Sequence, residues 1–167
     1  MVVFDNSILC LALHPGARCE IRDAPDRVRC MLDELQTKKE QIVIPAPVYA
    51  EFLVFAGKDG PAYQEKIKKN SVFRIEPFGE LAAIELAMME LTARSSSSKR
   101  GSATTSEWQK VKIDRQIVAV AKVCHAVAIY SNDEDVSAHA KDCNIKCVSV
   151  TDLPAAPQGR LNLEPTE

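Results

Sequence analysis

The sequence lacks the features that mark membrane, secreted and zinc-binding proteins. No apolar run approaches the roughly 20 residues that a membrane-spanning helix needs. The apolar start carries Asp5 and no basic leader, which argues against a signal peptide. The six cysteines form no Cys-x-x-Cys pair and the three histidines are scattered, so the spacing of a structural zinc site is missing. We therefore expect a cytoplasmic protein whose reduced cysteines pack like small apolar side chains.

A strong excess of charge of one sign is also missing. The 21 Lys and Arg residues against 23 Asp and Glu residues give a net charge of −2, so any binding to nucleic acid would have to use a local basic patch. Hydrophobic residues make up 46% and charged residues 26% of the 167 residues. This is the ordinary composition of one globular domain that is long enough to bury its own core.

Short apolar runs alternate with helical patterns along the chain. The runs at 2–4, 42–44, 126–130 and 145–150 predict strands, with a further extended segment at 72–75. Alternation of strand and helix calls for a mostly parallel sheet flanked by helices, so we predict an α/β fold with this sheet at its centre.

Two segments fall outside that alternation. The serine-rich stretch has almost no apolar residue, so we predict a flexible insertion at 95–107 between a helix with an apolar stripe and a second helix that starts at Asp114. The end of the chain is rich in proline, so we predict one domain over 1–151 and an extended or disordered tail over 152–167.

Four carboxylates stand at corresponding places in this pattern. Asp5 and Asp133 come just after strands, whereas Glu51 and Asp114 come early in helices that follow loops from the sheet. Each one alone is also explained as a helix cap or as one half of a surface ion pair. Because parallel strands end at one edge of a sheet, we expect all four to project from the same edge.

Carboxylates that share one edge repel each other unless cations neutralise them. Oxygen-only ligand sets suit Mg²⁺ or Mn²⁺, and such ions can hold a phosphodiester and activate water. The pattern therefore favours a metal-dependent enzyme that acts on phosphate esters.

Four short motifs carry a resemblance to a known family. Val-Val-Phe-Asp-Asn-Ser-Ile-Leu at the start, Pro-Val-Tyr-Ala-Glu-Phe, Asp-Arg-Gln-Ile-Val-Ala-Val-Ala and Ser-Asn-Asp-Glu-Asp-Val occur in this order. Together they resemble the PIN domain, most of all its VapC-type toxin branch, over roughly residues 2–151. The resemblance implies a three-layer α/β sandwich with a central parallel sheet, Mg²⁺- or Mn²⁺-dependent cleavage of RNA, and inhibition by a partner antitoxin.

The resemblance also implies roles for individual residues. The catalytic, metal-binding quartet would be Asp5, Glu51, Asp114 and Asp133, with Asp135 as a further metal ligand. Asn6, Ser7 and Ser131 would be accessory residues of the same site.

We expect RNA to contact local basic residues, although ordinary solvated helix surface explains the same pattern. The candidates are Lys66, Lys68, Lys69, Lys99, Arg100, Lys110, Lys112 and Arg115. The leading hypothesis is an endoribonuclease that is the toxin of a toxin–antitoxin pair. A housekeeping RNA-processing nuclease and a non-catalytic PIN-like binding module are the alternatives, and a homodimer is left open.

Overall fold

A computed structural model of the chain describes residues 1–95 and 105–155, without the side chains of residues 94–95 and 105–112. Its centre is a five-stranded sheet in the order β3-β2-β1-β4-β5, in which every neighbouring pair is parallel. The strands are β1 (Val2–Phe4), β2 (Ile42–Pro45), β3 (Phe73–Glu76), β4 (Ala128–Tyr130) and β5 (Lys146–Val148). The predicted parallel α/β fold is therefore confirmed.

The helices form one layer on each side of this sheet. They are α1 (Asn6–Leu13), α2 (Ala24–Thr37), α3 (Ala46–Ala56), α4 (Gly60–Lys69), α5 (Glu80–Ser95), α6 (Thr105–Val123) and α7 (Glu134–Asp142). In the first group, α1 contacts α2 and α3, and α3 contacts α4; in the second group, α6 contacts both α5 and α7. Right-handed crossovers place these two groups on opposite faces, because the chain first moves from β1 to β3 and then returns to β4 and β5.

The core lies where the two helix layers meet the middle strands. Val3 and Phe4 of β1, Val43 of β2 and Ile129 of β4 are fully buried. A strand that helices cover on both faces has a continuous run of apolar residues in its sequence. This is why these strands could be recognised in the sequence. The central position of β1 also sends the residue that follows it, Asp5, to the middle of one sheet edge.

The start of α6 differs from the prediction. The helix begins at Thr105, inside the segment expected to be an insertion, so Asp114 lies within the helix and not at its first residue. The sequence from 105 to 112 is largely polar and gives no apolar periodicity, which hides these helical turns. The remaining part of the predicted insertion, 96–104, and the tail beyond 155 lie outside the described residues.

The apolar stripe of α5 also has an unexpected environment. Leu81, Ile84, Met88 and Leu91 point away from the sheet and are at least half exposed. The opposite side of α5 packs on α6, with Ala82 buried there. Across the described residues, none of the helices combines the length and apolar character that crossing a membrane requires.

Candidate active site

Asp5 lies at the carboxyl end of β1 and is held by two serine hydroxyls. Its backbone N–H donates to the carbonyl of Tyr130 in β4. Its Oδ2 atom accepts hydrogen bonds from Ser7 Oγ at 3.1 Å and from Ser131 Oγ at 2.8 Å. Asp5 as a whole is only 7% exposed. Asp5 occupies the N-cap position of α1 but makes no side-chain capping bond, so helix capping does not explain it.

Ser131 joins Asp5 to the loop after β4. Its hydroxyl donates to Asp5 and also accepts a hydrogen bond from the backbone N–H of Asp133 at 3.0 Å. The residue itself is 2% exposed. One buried hydroxyl therefore fixes the distance between two of the predicted acids, Asp5 and Asp133, because it bonds to both segments at once.

Asn132 extends this network to β5. Its N–H donates to Ser7 Oγ at 3.1 Å, and its side-chain Oδ1 accepts from the N–H of Val150 at 2.9 Å. The ends of β1, β4 and β5 are thus tied together by side chains just beyond the sheet. Sequence reasoning missed Asn132, since an asparagine after a strand is equally typical of an ordinary turn.

Three carboxylates form a tight group beside this network. One oxygen from each of Asp114, Asp133 and Asp135 lies within 4.8 Å of the others. Asp114 comes from α6 and is 6% exposed, whereas Asp133 caps α7 by accepting from the N–H of Asp135 at 2.8 Å. Asp133 therefore combines the capping role, one alternative suggested by the sequence, with membership of the acidic group.

This donor set fits a small hard cation. Its ligands are carboxylate oxygens, which Mg²⁺ and Mn²⁺ prefer. Two oxygens bound to one Mg²⁺ at about 2.1 Å each are at most about 4.2 Å apart, so small side-chain rotations would bring the three carboxylates into range. The third member, Asp135, was predicted as an additional ligand and here lies in the same group as Asp114 and Asp133.

Glu51 lies on α3, at the Asp5 side of the site. Burial and then the charge of Asp5 raise the pKa of its carboxyl. Within the described part of the chain, no lysine or arginine forms an ion pair with Glu51. Glu51 is not a member of the three-carboxylate group, so its proposed contact with metal remains a prediction.

The thiol of Cys10 is also influenced by the charges of Asp5 and Glu51. Cys10, on the second turn of α1, donates from Sγ to Oδ1 of Asn6 at 3.3 Å. Burial, followed by the charges of Asp5 and Glu51, raises the pKa of Cys10 to about 11. The negative charges of Asp5 and Glu51 thus act on Cys10 as well.

A polar groove of about 670 Å³ runs from this site along the ends of β4 and β5. Its lining includes the hydroxyls of Ser137, Ser149 and Thr151 and the carboxylates of Glu20 and Asp152. Its volume lies in the range of small-ligand pockets. Among the described residues that line it, none is a lysine or arginine, so an anionic ligand there would depend on a bound cation.

The predicted RNA-binding residues whose side chains the structure describes do not gather at this edge. Lys66, Lys68 and Lys69 end α4 just before β3 begins, which places them near the opposite, amino-terminal edge of the sheet. Arg115 is 12% exposed and pairs with Glu90 at 2.5 Å between α5 and α6. The other candidates, Lys99, Arg100, Lys110 and Lys112, have side chains outside the described residues.

Comparison with known proteins finds relatives at the level of structure only. No protein-family model and no curated protein sequence matches the chain. FitAcB from Neisseria gonorrhoeae superposes with a TM-score of 0.63 at 20% identity, covering 92% of this chain and 100% of that chain.

Two further solved structures are similar. VapC20 from Mycobacterium tuberculosis, a toxin that cleaves the sarcin-ricin loop, gives a TM-score of 0.52 at 15% identity, covering 83% of this chain and 94% of its own. VapBC2 from Rickettsia felis, bound to a DNA fragment from its promoter, gives 0.56 at 17% identity, with coverages of 89% and 98%. At this identity the likeness establishes the fold, which is the three-layer sandwich of PIN-domain toxin structures that the sequence motifs predict.

Proposed function

We propose that this chain is a metal-dependent endoribonuclease and the toxin of a toxin–antitoxin pair. The observation that carries the proposal is the acidic group of Asp114, Asp133 and Asp135, whose oxygens lie within 4.8 Å of one another. Ser131 connects this group to Asp5 through hydrogen bonds. Such a concentration of carboxylates at one sheet edge costs stability in a protein that has no cation to bind there.

Some of these residues would bind the metal ion, and others would keep the side chains of the site in position. Mg²⁺ or Mn²⁺ would be bound by Asp114, Asp133 and Asp135. Asp5 and Glu51 would add two further carboxylates on the α3 side of the site. When bound there, such an ion would lower the pKa of a water and stabilise the leaving oxygen of the phosphodiester. Ser131 fixes the orientation of the Asp5 carboxylate, so that it need not reorganise when substrate binds.

RNA is the proposed substrate, and the polar groove beside Asp133 is the proposed place for the nucleotide next to the scissile phosphate. Its serine and threonine hydroxyls can bond to ribose hydroxyls, by which proteins distinguish RNA from DNA. Support for an RNA target comes from the fold similarity to VapC20, a toxin that cleaves the sarcin-ricin loop.

An antitoxin is the proposed protein partner. The similar structure of VapBC2 contains two components bound to promoter DNA. For this chain we propose a partner that covers the acidic edge and so blocks cleavage. A small reading frame beside this gene, encoding a DNA-binding amino terminus, is the candidate, and its product should bind the purified chain.

Cleavage assays test the proposal directly. Purified protein should cut single-stranded RNA with Mg²⁺ or Mn²⁺ and stop when EDTA is added. Asp114→Asn and Asp133→Asn should each lower the rate by about 100-fold or more, in line with loss of a charged group from a catalytic centre. Asp142→Asn, at the end of α7 and outside the acidic group, is the matched control and should leave the rate unchanged. Full activity in both site variants would refute the assignment.

A further inference from the structure

Exposed lysines gather at the amino-terminal edge of the sheet, where β2 and β3 begin. Two of them end α2 and precede β2, and three lie in the last turn of α4 and precede β3. β2 and β3 are neighbours, with Ile42 opposite Phe73, so the segments that lead into them lie side by side, about 5 Å apart. We name these five residues the lysine patch: Lys38, Lys39, Lys66, Lys68 and Lys69.

Little negative charge offsets the patch. Two of its lysines form exposed ion pairs with glutamates one turn earlier on their own helices, at 3.2 and 3.7 Å, and such pairs contribute little stability. Glu40, the acid next in sequence, pairs with the amino group of Met1. Within the described residues, the other three lysines form no ion pair. Five lysines against two glutamates leave an excess of three positive charges.

Helix stability explains only part of this pattern. Cations in the last turn interact favourably with the carbonyls at the end of α4. Lys39, however, lies beyond the C-cap of α2 and has a φ of 53°. Its N–H donates to the carbonyl of Gln36 at 3.0 Å, and the N–H of Glu40 donates to that of Leu35 at 2.8 Å. Glycine is the favoured residue at such a helix end. A lysine there has a strained backbone, so local structure does not account for it.

The patch and the acidic group lie at opposite ends of the sheet. Val2 of β1 pairs with Ile42 of β2. Asp5 is therefore level with Pro45, six residues after Lys39. At about 3.3 Å per residue this separation is roughly 20 Å. Among the described residues that line the groove beside Asp5 and its neighbours, none is a lysine or arginine. A polyanion bound at the acidic group would therefore find protein cations only farther away, and the patch supplies them.

We propose that the lysine patch is a second RNA-binding surface, which holds the backbone of the substrate RNA roughly 20 Å from the scissile phosphate. This inference rests on the proposed function, because it concerns the recruitment of the same RNA. Lysine ammonium groups contact phosphates as point charges and read no bases, so the patch contributes affinity without sequence preference. Only an RNA that reaches from one edge of the sheet to the other uses the patch, so the substrate class is a long or folded RNA.

Binding in EDTA tests the patch in the absence of cleavage. A fluorescent single-stranded RNA of about 16 nucleotides should bind the wild type. The variant Lys39→Gln, Lys68→Gln should bind it at least tenfold more weakly, and the slope of log affinity against log salt should fall by about 1.4, at about 0.7 for each lost phosphate contact. The matched control is Arg29→Gln, Lys141→Gln, which removes two exposed positive charges from the middle of α2 and the end of α7. It should bind like the wild type.

The variant Lys39→Gly separates the charge from stability. Glycine relieves the backbone at this position, so the variant should melt at a higher temperature than the wild type and yet bind RNA more weakly. Asn144 ends α7 with a φ of 55° and the same pair of backbone hydrogen bonds. Asn144→Gly should not lower the melting temperature and should bind RNA like the wild type. Equal RNA binding by Lys39→Gly and the wild type would overturn the proposal.

Cleavage kinetics separate this proposal from that of a nuclease. The variant Lys39→Gln, Lys68→Gln should raise KM for the longer RNA at unchanged kcat, and it should cut an RNA of about 4 nucleotides like the wild type. Patch-dependent binding in EDTA supports the patch even if the wild type cuts no RNA. A wild type that cuts RNA while the patch variant binds and cuts the longer RNA equally well overturns the patch and leaves the nuclease standing.

Three further outcomes would also overturn the patch. They are a wild type that does not bind the longer RNA in EDTA, equal weakening by the control variant, and a patch variant that loses binding only to phosphatidylserine vesicles.

Discussion

Ser131 donates a hydrogen bond of 2.8 Å to Asp5, a residue 126 positions away in the chain. The same hydroxyl accepts from the N–H of Asp133, so it stands between two acids that the sequence assigns to one site. The Ser131 hydroxyl thereby holds the segments that follow β1 and β4 in one fixed arrangement. A substitution at Ser131 should therefore disturb the positions of both Asp5 and Asp133.

We predict that Ser131→Ala destabilises the fold and slows cleavage. Loss of a buried hydroxyl that bonds to a carboxylate and an N–H costs about 1–3 kcal/mol, which lowers the melting temperature by roughly 2–12 °C at about 2–4 °C per kcal/mol. Thermal unfolding followed by circular dichroism measures this. Ser71→Ala, in an exposed turn, is the control; equal melting temperatures for the two variants would contradict the prediction.

Divalent metal should stabilise the wild type by occupying the acidic group. A ligand at about 100 times its dissociation constant contributes roughly 2.7 kcal/mol, so the melting temperature should rise by several degrees with Mn²⁺ and fall back with EDTA. Asp114→Asn should start at equal or higher stability without metal, because one repelling charge is gone, and should gain little from Mn²⁺. A response in this variant equal to that of the wild type and of Asp142→Asn would show that Asp114 is not a ligand.

The ion pair between Arg115 and Glu90 should be structural. Both side chains are mostly buried, at 12% and 17% exposure, and removal of one partner from such a pair typically costs about 3–5 kcal/mol. We expect Arg115→Met to lower the free energy of unfolding by about 3–5 kcal/mol, as measured in urea. Arg29→Met breaks the exposed pair with Asp26, at 70% and 61% exposure, and should cost less than about 1 kcal/mol. A small loss in both variants would instead favour an RNA-binding role for Arg115.

The raised pKa of the Cys10 thiol should be measurable as a loss of stability at alkaline pH. Burial and the nearby acids raise its pKa from 9.0 to about 11, so the native state holds this proton more tightly than the unfolded state does. Its contribution to stability is therefore complete below pH 9 and is lost as pH rises from about 9 to 11, by about 1.4 kcal/mol per unit. The difference in unfolding free energy between wild type and Cys10→Ala should shrink over this interval; a constant difference would show that the thiol is not perturbed.

The sequence predicted the sheet and the edge that carries the acids, because buried parallel strands leave uninterrupted apolar runs that end abruptly in polar residues. It misplaced the start of α6, since the helix before Asp114 offers no apolar periodicity. The periodicity of α5 revealed an apolar face but not its direction. That direction depends on Glu85 and Glu90 pairing with residues 37 and 25 positions further on, and no local pattern shows such long-range pairs.

The strand order has a consequence for the time at which the acidic centre can form. β1 is made first but lies between β2 and β4, and the residues that complete its edge, Asp114, Ser131 and Asp133, are made after about two thirds of the chain. A ribosome-bound chain that ends before β4 contains Asp5 and Ser7 but lacks the Ser131 hydroxyl that also bonds to Asp5. Long-range closure of this kind is slow compared with local helix formation. Assembly of the centre is therefore a late event in biosynthesis, and fragments cut short before residue 133 should lack it altogether.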